Sequence, residues 1–384
     1  MLRNFISLIT SLKLTIVCLA AAIVLIFAGT IAQVHLGIWE AQQRYFQSLF
    51  VWWPPEGRGF RIPIFPGGHL IGGVLLVNLI AAHAKRFQWS WRKLGIHLTH
   101  AGLIIMLAGG LFTDLFALES NMRLSWGDTK NYSEDPRRME LAVIDTSDAE
   151  LDQVTAIPEA VLRRGGTIEP KSLPFRIAVR NFYQNSRLTM ASEAGGSRKP
   201  IANRGPGAKV VVETVPRSTG VNDRDLVTAA IEIIAPEGSL GTWLVSDALG
   251  APQTFSAGGR TWQLAMRPAR YYKPFSVTLQ KFTHERYVGT DIPKNFASTV
   301  TLIDPERQVN RNVLIYMNHP LRYRGETYYQ AGFERDDRTT ILQVVRNPSF
   351  LAPYVACIVV GIGLLVQFGS HLVGFSRRRR VIAA

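Results

Sequence analysis

The sequence predicts a membrane protein with four transmembrane α-helices, three N-terminal and one C-terminal, and a large mostly-β extracytoplasmic domain. Three observations carry this. Four long stretches contain no charged residue. Most of the surplus basic residues fall at the ends of those stretches that would share one side of a membrane. Between the third and fourth stretches, short apolar runs alternate with turn chemistry.

The uncharged stretches lie between Lys13 and Glu40, Arg61 and Lys85, Lys93 and Asp114, and Arg346 and Arg377. About 20 helical residues cross a hydrocarbon core of roughly 30 Å. Lipid offers a backbone no hydrogen-bond partners, so each crossing must be a helix. Spans are predicted at Leu14–Val34, Gly67–Ala84, Leu94–Phe112 and Phe350–Phe368. The first reads as an anchor, because its apolar core is long and runs into Gln33, Val34 and His35 without a small-residue cleavage pattern. The chain then divides into a membrane region (1–116), a β-rich domain (117–348) and a last helix with a basic tail (349–384).

A net charge of +14 suggests a nucleic-acid partner until the charges are located. Arg3, Lys13, Lys85, Arg86, Arg92, Lys93 and Arg377–Arg380 supply +10 with no acid among them. The large domain mixes 30 bases with 27 acids. This is the positive-inside pattern. It places both termini and the Lys85–Lys93 loop in the cytoplasm, and about 235 residues, Thr113 to Asn347, outside. The basicity reports topology, and no nucleic-acid partner is expected.

The domain's predicted strands include Leu141–Ile144, Arg176–Arg180, Lys209–Glu213, Ala229–Ile234, Thr261–Met266, Phe275–Leu279, Thr299–Ile303, Asn312–Met317 and Thr340–Val345. Their spacing suggests a sandwich or open barrel. From Gln184 to Asn222 the composition turns to Ser, Gly, Pro and Arg, which reads as a long loop interrupting the sheet. Both cysteines, Cys18 and Cys357, fall in predicted spans. With no CxxC, dithiol chemistry and a cysteine metal cage are excluded. No catalytic motif is present.

Histidines at membrane depth stand out, since ionisable groups there are costly. His35 and His69 lie at outer ends of spans, His83, His97 and His100 at the inner ends of the second and third, and His371 near the inner end of the fourth. A short loop joins the two inner ends, so the three imidazoles can approach one another. Two readings stand: ligands for haem iron, which imidazole commonly binds, or interfacial residues bonded to water and lipid. His100 is the deepest, about 10 Å along the axis from Lys93, and His97 is shallower. Gly68, Gly72, Gly73, Gly109 and Gly110 are expected to allow close helix packing. The aromatic cluster Phe50–Pro55 is either a cofactor platform or an interfacial anchor.

Motifs then add a resemblance. Ser11–Thr15 before Ala28–Gln33, Val77–Ile80, and His100–Gly110 resemble the spans of the ResB family of System II cytochrome c biogenesis. More specific are Pro274-Phe275, Lys281-Phe282, Tyr287–Gly289, Asn295–Ser298, Met317–Phe333 and Arg346–Pro348, in that order before the last span. The resemblance implies a subunit of the complex that carries haem outward and attaches it to apocytochrome c, with a separate CcsA-type partner. It implies a haem-handling histidine at His100, with His83 the nearby alternative, and a bacterial cytoplasmic membrane. His319 is read as a turn residue. The competitors are a haem-free membrane-anchored scaffold or binding protein, and a transporter, for which paired inverted repeats are missing.

A reporter active only outside the cytoplasm should be active when fused after Ser120 or near Gly250. It should be silent at Gln88 or after Arg380, and activity at Gln88 would overturn the assignment of sides.

Overall fold

The computed structural model describes residues 2–54, 60–148, 150–194, 199–220, 223–250, 253–290, 293–334 and 338–382. Pro55 of the aromatic cluster and the segments 195–198 and 221–222 of the predicted long loop lie outside them. Contacts divide the chain into two compact units, residues 1–118 with 346–384, and residues 119–345.

The first unit opens with a helix the sequence reading did not anticipate, α1 (Leu2–Ile9). It is followed by α2 (Leu12–Ala41), the hairpin β1 (Phe50–Trp53) and β2 (Ile62–Pro66), α3 (Gly68–Arg86), α4 (Leu94–Phe116) and the C-terminal α5 (Ala352–Ile382). Four of these helices are long and apolar enough to cross a membrane, three before the β region and one after it. Ser11 caps α2 by accepting a hydrogen bond from the Lys13 amide. At Gly37 the backbone turns to φ 75°, a conformation glycine adopts without strain, and α2 breaks there. The chain then doubles back, bringing the Phe46 ring against Gly29, where a Cβ would lie 2.7 Å from it.

The tightest helix contact is between α4 and α5, and glycine makes it possible. Gly95, Gly102 and Gly109 recur every seventh residue, so they share one face of α4. A Cβ would come within 2.7 Å of the Gln367 backbone at Gly95, 2.5 Å of Val360 Cγ2 at Gly102, and 2.4 Å of Ala352 Cβ at Gly109. Ser349 closes the seam by donating to the Gly109 carbonyl at 3.1 Å. Only Gly109 and Gly68 of the expected packing glycines behave as such. Gly72, Gly73 and Gly110 face open space, because α3 and α4 do not press together there.

The second unit is built from β3 (Leu118–Ser125), β4 (Thr129–Asp145), β5 (Gln153–Pro158), β6 (Gly166–Ile168), β7 (Arg176–Tyr183), β8 (Ser186–Met190), β9 (Val210–Thr214) and β10 (Thr228–Ala235). It continues through β11 (Gly238–Ser246), β12 (Gln253–Ala257), β13 (Arg260–Arg286), β14 (Pro293–Asp304) and β15 (Val309–Tyr316). The last strands are β16 (Leu321–Tyr323), β17 (Glu326–Phe333) and β18 (Thr339–Arg346). Among the described residues, a ten-stranded sheet runs β15-β14-β13-β4-β3-β18-β17-β16, with β12 and β5 attached to β13 and β4. A four-stranded sheet runs β11-β10-β7-β6.

Both expected architectures occur. Met139, Leu141, Ile177, Ile231, Trp243 and Leu264 bury the four-stranded sheet against one part of the large sheet, as in a sandwich. Elsewhere the large sheet curls until β15 approaches β16 and β17, enclosing Leu124, Val277, Leu279, Val300, Ile315 and Tyr328 as in an open barrel. The strand β13 serves both cores, so Thr261–Met266 and Phe275–Leu279, expected as separate strands, are one. Its register against β4 shifts between Pro268 and Arg270 and again between Tyr272 and Val277, where it passes from one core to the other. The long loop from Gln184 also contains more structure than composition suggested. β8 pairs with β9, so Ser186–Met190 and Val210–Thr214 within it form a β-ladder.

Gly102→Leu should wedge α4 from α5 and destabilise the full chain in detergent by about 1–3 kcal/mol. Gly110→Leu, facing open space, should leave its thermal midpoint unchanged. Equal losses from both would contradict the glycine seam.

Candidate functional site

The three histidines His83, His97 and His100 converge. The His83 ring stacks on that of His100, centroids 5.3 Å apart and planes 23° apart, and meets His97 edge-on at 5.1 Å. Phe87 covers His97 at 4.7 Å. Two backbone carbonyls orient the α4 imidazoles. His100 Nδ1 lies 2.7 Å from the Ile96 carbonyl, one turn back, and must donate to it. In the neutral ring that leaves the lone pair on Nε2. His97 Nε2 donates to the Gln88 carbonyl at 3.0 Å, and its buried Nδ1 finds no partner among the described residues. The glycine seam explains why these rings face α3. At about 100° per residue, His97 and His100 sit on the far side of α4 from Gly95 and Gly102.

This arrangement can do specific chemistry. An imidazole whose Nδ1–H is held by a carbonyl presents Nε2 as a metal ligand of fixed tautomer and direction. Among the described residues no group of three His, Cys, Asp or Glu side chains could hold a bare metal ion. A haem iron makes a smaller demand, because the porphyrin supplies four nitrogens and the protein one or two. A single oriented imidazole is the kind of donor a haem iron takes from a protein. The stacked rings of His83 and His100 leave no gap for a porphyrin between them, so the cluster as arranged offers one imidazole at a time.

A second polar pair was missed. At the other end of α3, His69 Nε2 contacts Asp114 of α4, whose other oxygen accepts from Gln47 Nε2 at 2.6 Å. His69 precedes His83 by 14 residues and Asp114 follows His100 by 14. Two antiparallel helices thus carry matched polar pairs about 21 Å apart along their axes. That equal spacing was the available signal, with Asp114 previously noted only as the end of an uncharged stretch. The remaining histidines stay apart. His35 is exposed, and His371 contacts Gln367 at 2.7 Å. The aromatic cluster forms a hairpin edge, with Trp52 and Trp53 exposed.

In the β unit, the family-like motif is mainly architectural. Buried Asp304 accepts from Tyr323 at 2.6 Å and from Arg324 at 2.6 and 2.9 Å. Burial by itself would raise the Asp304 pKa, but these hydrogen bonds outweigh it and hold the carboxyl below its usual range. Glu326 accepts from Lys273 at 2.8 Å and from the buried Tyr328 hydroxyl at 2.7 Å. Gly325 turns the hairpin at φ 78°, and His319 stacks on Tyr316 within the preceding turn.

Taken together, the four apolar helices and the β domain define an integral membrane protein with a large β unit between its third and fourth helices. Residues 241–341 match the model of the ResB-like family, which bears out the resemblance in that segment. The chain is also similar to Protein NrfI of Wolinella succinogenes, 33% identical over 102 residues. That stretch is 27% of this chain and covers 11% of NrfI. The matched family segment runs from β11 to the start of β18, so the helical motifs and the histidine cluster lie outside it.

Because the folded-state pKa of Asp304 is lowered, its contribution to stability is complete above the ordinary value near 3.8 and is lost as pH falls through the depressed value. Acid unfolding of the full chain in detergent should therefore steepen below about pH 4. Asp304→Asn should lower stability at neutral pH and flatten that acid limb, and an unchanged limb would remove Asp304 from the account.

Proposed function

We propose that this chain is a membrane component of cytochrome c biogenesis that handles haem as cargo. In this reading it sits in a bacterial cytoplasmic membrane with both termini inside. It works with a CcsA-type membrane partner to deliver haem to apocytochrome c on the other side. The ResB-like segment supports the process, and the oriented imidazole of His100 supports the cargo. That orientation is the observation on which the haem reading rests most: the Ile96 carbonyl takes Nδ1–H and leaves Nε2 to coordinate iron. His83 stands next to it as the alternative ligand, and His97, pinned through Nε2 to Gln88, ranks third. Haem binds amphiphilically, its apolar ring suiting the lipid side of α3 and α4 and its propionates suiting the basic end with Lys85, Arg86, Arg92 and Lys93. The β unit offers sheet edges at β15 and β16 for an extended apocytochrome segment.

Co-purified with its partner in detergent, the wild-type chain should show a Soret band. His100→Ala should insert normally, since removing a polar group from a span does not oppose insertion. It should nevertheless lower the Soret absorbance and holocytochrome c at least about tenfold, as expected when a metal ligand is lost. Free imidazole should restore part of both, and His97→Ala should be milder. Normal holocytochrome c with His100→Ala at wild-type abundance would sink the ligand assignment, and absence of any Soret band would favour the haem-free scaffold.

A further inference from the structure

The end of the membrane unit that carries the histidine cluster also holds a pocket with a different chemistry. α1 is eight residues long and amphipathic. At 100° per residue, Phe5, Ile6, Leu8 and Ile9 fall on one arc and Arg3, Asn4 and Ser7 on the other. Phe5 and Leu8 are about 60% exposed, with apolar surface turned outward from the protein. A helix of this kind lies in the plane of a membrane interface.

α1 is held at a fixed place on the bundle. Asn78 of α3, 2% exposed, donates through Nδ2 to the carbonyls of Ile9 at 2.5 Å and Ser11 at 3.1 Å, and accepts from Thr15 at 2.6 Å. Lys85 donates to Thr10 Oγ1 at 3.1 Å, and Arg86 reaches the Thr10 carbonyl at 3.4 Å. Between α1 and the end of α3 these bonds leave an open cavity of about 630 Å³, lined by Arg3, Ile6, Ser7 and Lys85. Arg3 and Ser7, four residues apart, share the polar arc, and Ile6 adjoins Arg3 at its border with the apolar one.

We propose that this cavity binds the headgroup of an anionic phospholipid. Among the described residues its two cations face no carboxylate, and the chain contains no Asp or Glu before Glu40 and none between Glu56 and Asp114. Glu40 pairs with Arg44, and Asp114 is held by His69 and Gln47 at the far end of α3. The Arg3 guanidinium, the Ser7 hydroxyl and the unspent donors of the Lys85 ammonium are the groups a phosphate oxygen accepts from. Ile6 on the wall, and the outward apolar arc of Phe5 and Leu8 on the same helix, favour a ligand with acyl chains over a soluble anion. A basic pocket between helix ends at headgroup depth is a recurring form of lipid recognition. Such a lipid would bridge α1 to the last turn of α3, two residues from His83, and steady the helix end that presents that ring. The site stands independently of any haem function.

Native mass spectrometry of the full chain in detergent, titrated with phosphatidylglycerol and with phosphatidylcholine, tests this. The wild type should retain phosphatidylglycerol at least about tenfold better, the discrimination expected of a paired-cation headgroup site. Arg3→Ala with Lys85→Ala should bring the two lipids to parity, whereas Arg92→Ala with Lys93→Ala, an equal loss of charge outside the cavity, should keep the preference. Ser7→Glu places an acid in the cavity without removing a basic topology signal, and should also abolish the preference. Equal retention by Ser7→Glu and wild type would overturn the proposal. Displacement of the lipid by inorganic phosphate alone would instead identify a free-anion site and reject the lipid.

Discussion

The contact between α4 and α5 is the constraint from which the membrane unit follows. Lipid gives apolar side chains no reason to leave it, so helices join where backbones can approach closely. Gly95, Gly102 and Gly109 provide that approach on one face of α4, and Gly363 returns it, since a Cβ there would stand 2.7 Å from the Thr99 amide. Fixing this face to the C-terminal helix turns the opposite face, with His97 and His100, toward α3. The chain's last span therefore orients the candidate site without contributing a residue to it.

In the β unit the comparable element is β13. Its 27 residues carry Trp262, Leu264 and Met266 into one core and Phe275, Val277 and Leu279 into the other. The ResB-like segment is the stretch that contains this strand and the hairpins after it. Its polar residues are largely occupied by one another, as with Arg324 on Asp304 and Lys273 on Glu326. Buried charges of this kind are expensive to leave unpaired, which ties the motif to the fold. The clustered histidines lie on half-buried helix faces.

The two ends of α3 differ in kind. One end joins an imidazole to a carboxylate, and the other gathers imidazoles beside a set of unanswered cations. Between them Gly72, Gly73 and Gly110 leave open space, and Ile80, Leu103 and Leu107 are exposed. This face of the bundle is apolar along its length and polar at both limits, whereas the α4–α5 face is sealed.

How much of this the sequence determined can be judged element by element. The four spans, their order and the β character of the intervening unit follow from charge-free length and from period-two runs, which are local properties. The likeness of Met317–Phe333 to a family motif was equally legible, because a motif is local too. α1 escaped notice because eight amphipathic residues are too short to stand out against the span beside them. β8 was lost in a polar stretch because its pairing with β9 is a relation between two segments. Of the glycines, sequence named Gly109 and Gly110 alike but could not separate Gly109, where a Cβ would meet Ala352, from Gly110, where it would meet nothing; it did not name Gly95 or Gly102. The stacking of His83 on His100, the His69–Asp114 pair and the closing of α5 onto α4 were decided only by tertiary structure. The physical reason is common to all three: hydrophobic patterning fixes which segments are helices or strands, whereas the rotation of each about its axis is set by which backbones can come within van der Waals contact.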